Sequence, residues 1–440
     1  MLIYIKENIK KRINLKQNLQ NYIKYITICL MQNVIIIKGW CLYMILSSKG
    51  LDIKPSSTLE ITAKAKQMKA DGIDVVGFGA GEPDFDTPDH IKQAAIEAIN
   101  EGFTKYTPAS GILPLKKAIC NKLEADNKVS YKPSQIVVSN GAKHSLTNTF
   151  MAILNPGDEV IIPAPFWLSY VQMVKIADGV PVVVKTSKDN NYKATMDDLK
   201  NALTDKTKAI LINSPSNPTG MVYSEEELKQ VAEFAVENDL FVISDEIYEK
   251  LIYGDEKHIS IASFNEDIYN RTIIINGVSK SYAMTGWRIG YAAAPEQIAK
   301  IMSNIQSHAS SNPNSIAQKA ALAAISGSQE CVDKMKTQFD KRREYMYDRV
   351  SKMPYVSAIK PQGAFYVFVD LDSALGKKYK GEVIENANIF AKLLLDNEKV
   401  AAVPCTDFGY DTHFRLSYAI AMENIEKGLD RIENFLNNLQ

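Results

Sequence analysis

KAILINSPSNPTGMVYSEEELKQVAEFAVENDLFVISDEIY occupies Lys208 to Tyr248. It opens on one apolar, β-branched run, KAILINS, and closes on another, LFVISDE. Between them SEEELKQVAEFAVEND (Ser224–Asp239) reads as a helix, and Ser224 followed by Glu227 has capping-box spacing. The acids of Ser224–Glu227 are expected to be solvated. Strand, polar loop, helix, strand is the repeating unit of a parallel sheet. Working outward, QIVVS (Gln135–Ser139) precedes the helical run AKHSLTNTFMAIL, and DEVIIP, VPVVVK and TIIIN add further short apolar runs. Their nearly continuous hydrophobicity suits strands covered on both faces. The pattern predicts an α/β fold with a mostly parallel sheet. From about Gly327 the character changes to long charged helices with the strands GAFYVFVD and HFRLSYA, the pattern of a second, α+β domain.

The chain has 440 residues, 51 basic against 51 acidic. It is long enough for two or three domains, and its balanced charge gives no attraction to nucleic acid or anionic membranes. Five cysteines (Cys29, Cys41, Cys120, Cys331, Cys405) and five histidines are scattered, so neither a disulfide framework nor a metal pattern is expected. This usage fits a reducing cytoplasm. Residues 1–43 differ from the rest. The uncharged stretch Tyr25–Ile37 is shorter than the ~20 residues of a membrane span. The extension reads as an uncleaved anchor, an amphipathic extension or upstream sequence from too early a start, the last being favoured, with Met44 opening the globular part.

Ligands of open α/β sheets bind at the carboxyl ends of the strands, which directs attention to four segments. VVSNGAKHSL turns from a strand into a helix start, where free N–H groups hold anions and glycine allows close approach. It reads equally as a plain βα turn. LINSPSNPTG (Leu211–Gly220) is a polar loop at a strand end, with a structural turn as its alternative. FVISDEIYEKL places Asp245 and Tyr248 after a buried strand, where a carboxylate needs a cationic partner or serves as a helix cap. NGVSKSYAMTGWRIGY (Asn276–Tyr291) places Lys280 after another apolar strand. A lysine there can lose its proton and form imines, although most lysines are solvated surface groups. His144, Tyr282, Met284 and Trp287 are expected to pack rather than react.

Taken jointly, AGEPDFDTP, KYTPASGI, SNGAKHSL, SNPTG, SDEIY, SKSYAMTGWRIGY and FRLSYA occur in an order that resembles the class I pyridoxal-phosphate aminotransferases, of the aspartate aminotransferase type, over nearly all of Met44–Gln440. The resemblance implies fold type I of the pyridoxal-phosphate transferases. It carries a large domain over 91–326 with a mostly parallel seven-stranded sheet, and a smaller α+β domain from 44–90 and 327–440. It implies pyridoxal 5'-phosphate as cofactor, bound to Lys280 as an internal aldimine. Once freed, Lys280 moves the proton of the substrate Cα. Asp245 is implied to face the ring nitrogen, Tyr248 and Asn217 the phenolic oxygen, and Trp167 the ring face. Gly141, Ala142, Lys143, Ser279 and Arg288 are implied to grip the phosphate. Tyr106 in the family reaches the phosphate of the neighbouring subunit, which implies a homodimer with shared sites. Arg415 and the backbone of Gly81 are implied to bind the substrate α-carboxylate, with Trp167 and Asn217 also touching substrate.

The resemblance thins at substrate choice. Family members that read a distal carboxylate with arginine carry it before an SNP-like segment, whereas QSHASSNPNS has none. In the branch this chain resembles, a lysine takes that task; Lys54 in IKPSST is the first candidate and Lys143 the second. The expectation is transfer from L-aspartate to 2-oxoglutarate by a ping-pong mechanism, with side activity on aromatic acids or prephenate. A carbon–sulfur lyase or cyclising synthase on the same scaffold would share Lys280, Asp245 and Arg415 but release ammonia and pyruvate or cyclise. A ligand-sensing DNA-binding regulator would need a helix-turn-helix region for which the 43-residue extension is too short.

Overall fold

A computed structural model describes residues 35–37, 40–42, 46–55 and 57–440. It separates into two units, Met1–Lys54 and Pro55–Gln440. In the first, strands Ile35–Ile37 and Trp40–Leu42 pair antiparallel. A short helix, Ser48–Asp52, follows, capped by Ser47, whose hydroxyl accepts the Gly50 N–H at 3.3 Å. Apart from those two strands, the extension 1–43 lies outside the described residues. Among the described residues no helix is long and apolar enough to cross a membrane.

The second unit holds a seven-stranded sheet. Its strands are β1 (Ile136–Ser139), β2 (Glu159–Ala164), β3 (Val180–Lys185), β4 (Thr207–Asn213), β5 (Phe241–Asp245), β6 (Thr272–Gly277) and β7 (Gly290–Ala293). The order across the sheet is β1-β7-β6-β5-β4-β2-β3. The pairs β2–β3, β2–β4, β4–β5 and β5–β6 are parallel, and β7 runs antiparallel to both neighbours. The predicted α/β class and mostly parallel sheet are therefore what forms. β5 and β6 are almost wholly buried, as their apolar runs require. β3 departs from the expectation of two covered faces: VPVVVK is an edge strand with Val180 and Val183 exposed. A valine run promises strand geometry, but its place in the sheet is set by which neighbours remain to pair.

Helices α1 (Leu113–Lys122), α2 (Ala142–Ile153) and α3 (Glu225–Glu237) belong to this layer. The start of α3 forms the expected capping box. Ser224 Oγ accepts the Glu227 N–H at 3.2 Å, and Glu227 Oε2 accepts the Ser224 N–H at 2.7 Å. Glu225 and Glu226 are solvated as expected, but Glu227 also pairs with the buried Lys193 at 2.6 Å.

A four-stranded antiparallel sheet follows, with strands β8 (Ser357–Ala358), β9 (Tyr366–Asp370), β10 (Val403–Pro404) and β11 (His413–Ser417) in the order β8-β9-β11-β10. Helices α4 (Glu330–Ser351) and α5 (Met422–Asn437) share an apolar core with it, including Phe339, Met346, Phe365, Phe414, Leu429 and Phe435. The pair Val76–Gly77 runs parallel to Val400–Ala401, which ties the 73–78 segment to the C-terminal part.

Candidate active site

Because β4, β5 and β6 are parallel and in register, Asn213, Asp245 and Ile275 lie side by side at one edge of the sheet. The side chains that end these strands therefore converge. Asp245 is 3% exposed. Tyr170 donates its hydroxyl to Oδ2 at 2.6 Å, and the Ile247 N–H donates to Oδ1 at 3.2 Å. Burial pushes this carboxyl up to about 6, helped by the nearby Glu246 charge and opposed by the two hydrogen bonds and by Lys280. A turn, not a helix, follows β5, so Asp245 is not a helix cap.

Lys280 lies three residues beyond β6. Its Nζ donates to the Gly81 carbonyl at 2.5 Å and stands 6.0 Å from the Tyr248 ring centroid and 5.9 Å from that of Phe365. Burial pulls the amine down to about 8; Arg288 and Arg415 add to this, while Glu82 and Asp245 oppose it. Roughly a tenth of this lysine is thus a free amine at pH 7, against less than about a thousandth of a solvated one.

The helix start at α2 forms a cationic cradle. Gly141 adopts φ +85°, and a Cβ there would collide with the Arg288 guanidinium. Gly290 on β7 is equally constrained, since a Cβ would strike the Ala142 backbone. These two glycines allow helix start, guanidinium and sheet to close up. Ala142 and Lys143 fall in the first turn, where N–H groups have no partner inside the helix. Arg288, itself left-handed at φ +56°, donates to the Thr285 carbonyl at 2.8 Å. Ser279 is buried nearby in sequence, beside Lys280. The Lys143 ammonium stands 4.8 Å from the Trp167 ring centroid; partial burial and then the Arg288 charge lower its affinity for a proton. His144 Nδ1 accepts the Asn140 N–H at 3.2 Å and so holds the turn, consistent with a packing role.

Arg415 comes from β11 and is 2% exposed. Its Nη1 donates to Asn217 Oδ1 at 2.8 Å, its Nη2 to the Gly79 carbonyl at 3.4 Å, and its guanidinium lies 4.1 Å from the Tyr366 ring centroid. Its Nε is buried without a hydrogen-bond partner among the described residues. Tyr366 meets Tyr248, hydroxyl to hydroxyl, at 3.0 Å. Asn217 is fixed by its N–H to Asn213 Oδ1 at 2.8 Å, and Asn213 Nδ2 donates to the Asp245 carbonyl at 3.0 Å. One hydrogen-bonded chain thus runs from Arg415 through the SNPTG loop to Asp245.

Trp167 is half-buried and edge-on to Tyr170 at 5.4 Å. Tyr282 and Met284 are core residues, and Trp287 Nε1 donates to Thr87 Oγ1 at 2.9 Å, as expected of packing residues. Tyr106 is 90% exposed. Lys54 is exposed and belongs to the first unit. Sequence reasoning missed Tyr170 and Tyr366. Tyr170 stands three residues after Trp167, nearly one helical turn, and that spacing was a usable signal. Tyr366 sits inside an apolar strand among other core aromatics and gave none.

A family model described as "Aminotransferase class I and II" matches residues 73–432. The chain is 50% identical over 393 residues to the aspartate aminotransferase of Bacillus subtilis, covering 89% of this chain and 99% of that one. It is 49% identical over 396 residues to a probable aspartate/prephenate aminotransferase of Aquifex aeolicus, covering 90% and 99%. Among solved structures, the aspartate aminotransferase of Rhizobium meliloti superposes with a TM-score of 0.87 at 39% identity, covering 90% of this chain and all of that one. That of Thermus thermophilus with maleate gives 0.84 at 40% identity, covering 89% and 99%.

Proposed function

The chain belongs to the class I and II aminotransferases, and from that premise we propose that it moves the α-amino group of L-aspartate to 2-oxoglutarate in two half-reactions on one site. The family uses pyridoxal phosphate, which when bound supplies an aldehyde that takes and returns the amino group and a ring that accepts electrons from Cα. The single observation that carries the reading is the pairing, at one sheet edge, of an amine pulled down to about 8 with a carboxyl pushed up to about 6. An aldehyde needs the first, and a cationic ring nitrogen stabilises the second.

The residues fit the group. Lys280 would hold the aldehyde carbon, Asp245 the ring nitrogen, Tyr248 and Asn217 the phenolic oxygen, and Trp167 the ring face. Gly141, Ala142, Lys143, Ser279 and Arg288 form a donor set suited to a phosphate dianion. Arg415, oriented by Asn217 and Tyr366, would bring a planar fork to the substrate α-carboxylate, and the backbone of Gly81, whose carbonyl accepts from Lys280, would also touch it. Lys280, as a free amine, would move the proton between the substrate Cα and the cofactor's aldehyde carbon, in one direction in the first half-reaction and in the other in the second.

For the distal carboxylate we favour Lys143 over Lys54, because its ammonium stands over the Trp167 ring. Lysine offers a point charge without a fixed fork, so discrimination is loose. Prephenate is a second amino acceptor on this reading, in line with the name of the Aquifex aeolicus relative. The exposed Tyr106 suits a homodimer with shared sites, in the cytoplasm.

The test is direct. Protein loaded with pyridoxal phosphate and treated with borohydride is expected to carry the adduct on Lys280, and aspartate alone is expected to convert the bound cofactor's absorbance in one turnover. Sustained release of ammonia and pyruvate would move the chain to the lyases. Lys143→Ala is expected to lower kcat/KM for aspartate more than for a monocarboxylic amino acid, with Lys54→Ala as the comparison.

A further inference from the structure

Asp245 and Tyr248 alternate with two glutamates that enter a different set of contacts. Glu246 accepts four hydrogen bonds: from Ser244 Oγ at 3.0 Å, Ser260 Oγ at 2.7 Å, Asn127 Nδ2 at 3.1 Å and His258 Nε2 at 2.9 Å. Glu249 pairs with the Lys122 ammonium and accepts from Asn127 Nδ2 at 2.8 Å, with His258 Nε2 at 3.9 Å. Asp126 bridges Lys250 at 2.7 Å and Lys122 at 3.8 Å. The cluster thus clamps the end of α1 and the following turn, Leu123–Asn127, onto the segment that leaves β5.

Among the described residues, protonation of His258 balances the charges of this cluster. Three carboxylates (Asp126, Glu246, Glu249) face two ammonium groups (Lys122, Lys250), so one negative charge is uncompensated while His258 is neutral. The other titratable groups that feel the cluster are Asp245, which Glu246 raises, and three phenols. Tyr131 senses Glu246, and Tyr282 and Tyr291 sense Glu249; burial keeps all three neutral. An unbalanced charge at this depth is costly, and protonated His258 removes it.

We propose that His258 and Glu246 are positioning residues for Asp245. Their neutral cluster fixes the segment carrying Asp245 and Tyr248, and the Glu246 charge that His258 balances sets the field at Asp245. The inference rests on the reading that Asp245 faces the cofactor ring. Burial disfavours charge on His258, but Glu246 and Glu249 together outweigh it and raise its affinity for a proton. Because that value lies above the unfolded one, the stabilisation is complete below the ordinary histidine range and is lost as pH rises through the raised value. Glu246 also pushes Asp245 upward, so the two side chains are coupled through charge.

The experiment is a pH titration of the full chain, loaded with pyridoxal phosphate and labelled in its five histidine rings. His258 is assigned by the signal absent in His258→Gln, or, should that variant not fold, by the one that moves in Glu246→Gln. His258 is expected to titrate above the ordinary value of about 6.5, and lower in Glu246→Gln than in the wild type. The cofactor's absorbance titration, which follows an ionisation that responds to the field at Asp245, gives a signed readout. His258→Gln is expected to shift it to higher pH and Glu246→Gln to lower pH, whereas a purely structural role would move both the same way. The proposal is overturned by a His258 titration at or below the ordinary value, by shifts of one sign in the two variants, or by a stoichiometric divalent metal in the native protein. Absence of a borohydride adduct on Lys280 would instead sink the functional reading, leaving the histidine titration to judge the cluster alone.

Discussion

Asp245 and Glu249 lie four residues apart in one buried segment, and burial pushes both carboxyl groups toward the protonated form. They end far apart, Asp245 at about 6 and Glu249 at about 2. The difference lies in their partners. Glu249 meets the charges of Lys122 and His258 and hydrogen bonds from Lys122 and Asn127. Asp245 has one phenol and one backbone N–H, with the Lys280 charge a weaker influence. The protein completes one carboxylate with its own cations and leaves the other short of them. A buried carboxylate that the chain does not neutralise is a place for an external cation, which on the proposed function a protonated ring nitrogen would provide.

The largest expected effect lies on the incomplete side. Lys280→Ala removes the amine proposed to move the proton, and the aspartate half-reaction is expected to slow by at least ~10²–10⁴-fold, followed at the cofactor's absorbance with borohydride trapping as the control. On the complete side, Glu249→Gln removes the near carboxylate of Lys122, leaving it Asn127 Oδ1 at 2.7 Å and Asp126 at 3.8 Å. It is expected to lower unfolding free energy by about 3 kcal/mol, the lower end for a broken buried pair, read from urea unfolding. In the wild type, the depressed value means that Glu249 contributes stability above the unfolded carboxyl range. Roughly 3 kcal/mol is lost as pH falls toward 2.

Asp245 carries the opposite sign. Its raised value means that stability of the cofactor-free protein falls as pH rises from about 4 through 6. Asp245→Asn is therefore expected to stabilise cofactor-free protein at pH 7 by up to roughly 3 kcal/mol while weakening cofactor binding. Loss of stability in that variant would break the comparison. Arg415→Lys keeps the charge but loses the fork, and kcat/KM for aspartate is expected to fall by about 1.5–3 kcal/mol, or ~10–150-fold. The smallest effect belongs to Tyr170→Phe. Losing this donor to Asp245 is expected to weaken pyridoxal phosphate binding about tenfold, near the lower end for a bond to a charged group, as measured by equilibrium titration.

Much of this was legible before folding. The runs IVVS, EVIIPA, TKAILIN, FVISD and TIIING become strands within a residue or two of where their β-branched residues suggest, because local propensity and burial agree there. VPVVVK is the instructive exception: its composition reads as interior, yet among the described residues no further strand pairs beyond it. Lys280 and Asp245 were readable because a charged residue directly after a buried strand asks for an explanation. Tyr366 asks for none in GAFYVF, and Lys122, Asn127 and His258 are ordinary polar residues until folding packs them around Glu246 and Glu249.

The sequence alone determined the α/β alternation, the sheet's parallel character and the strand ends at which charged side chains emerge, since these depend on the order of apolar and polar residues over a few turns of chain. Only the tertiary structure decided which charges find partners. Whether a buried carboxylate is completed, like Glu249, or left to bind something else, like Asp245, depends on groups contributed by segments distant in the chain. Electrostatic energy follows distance and burial, not sequence separation.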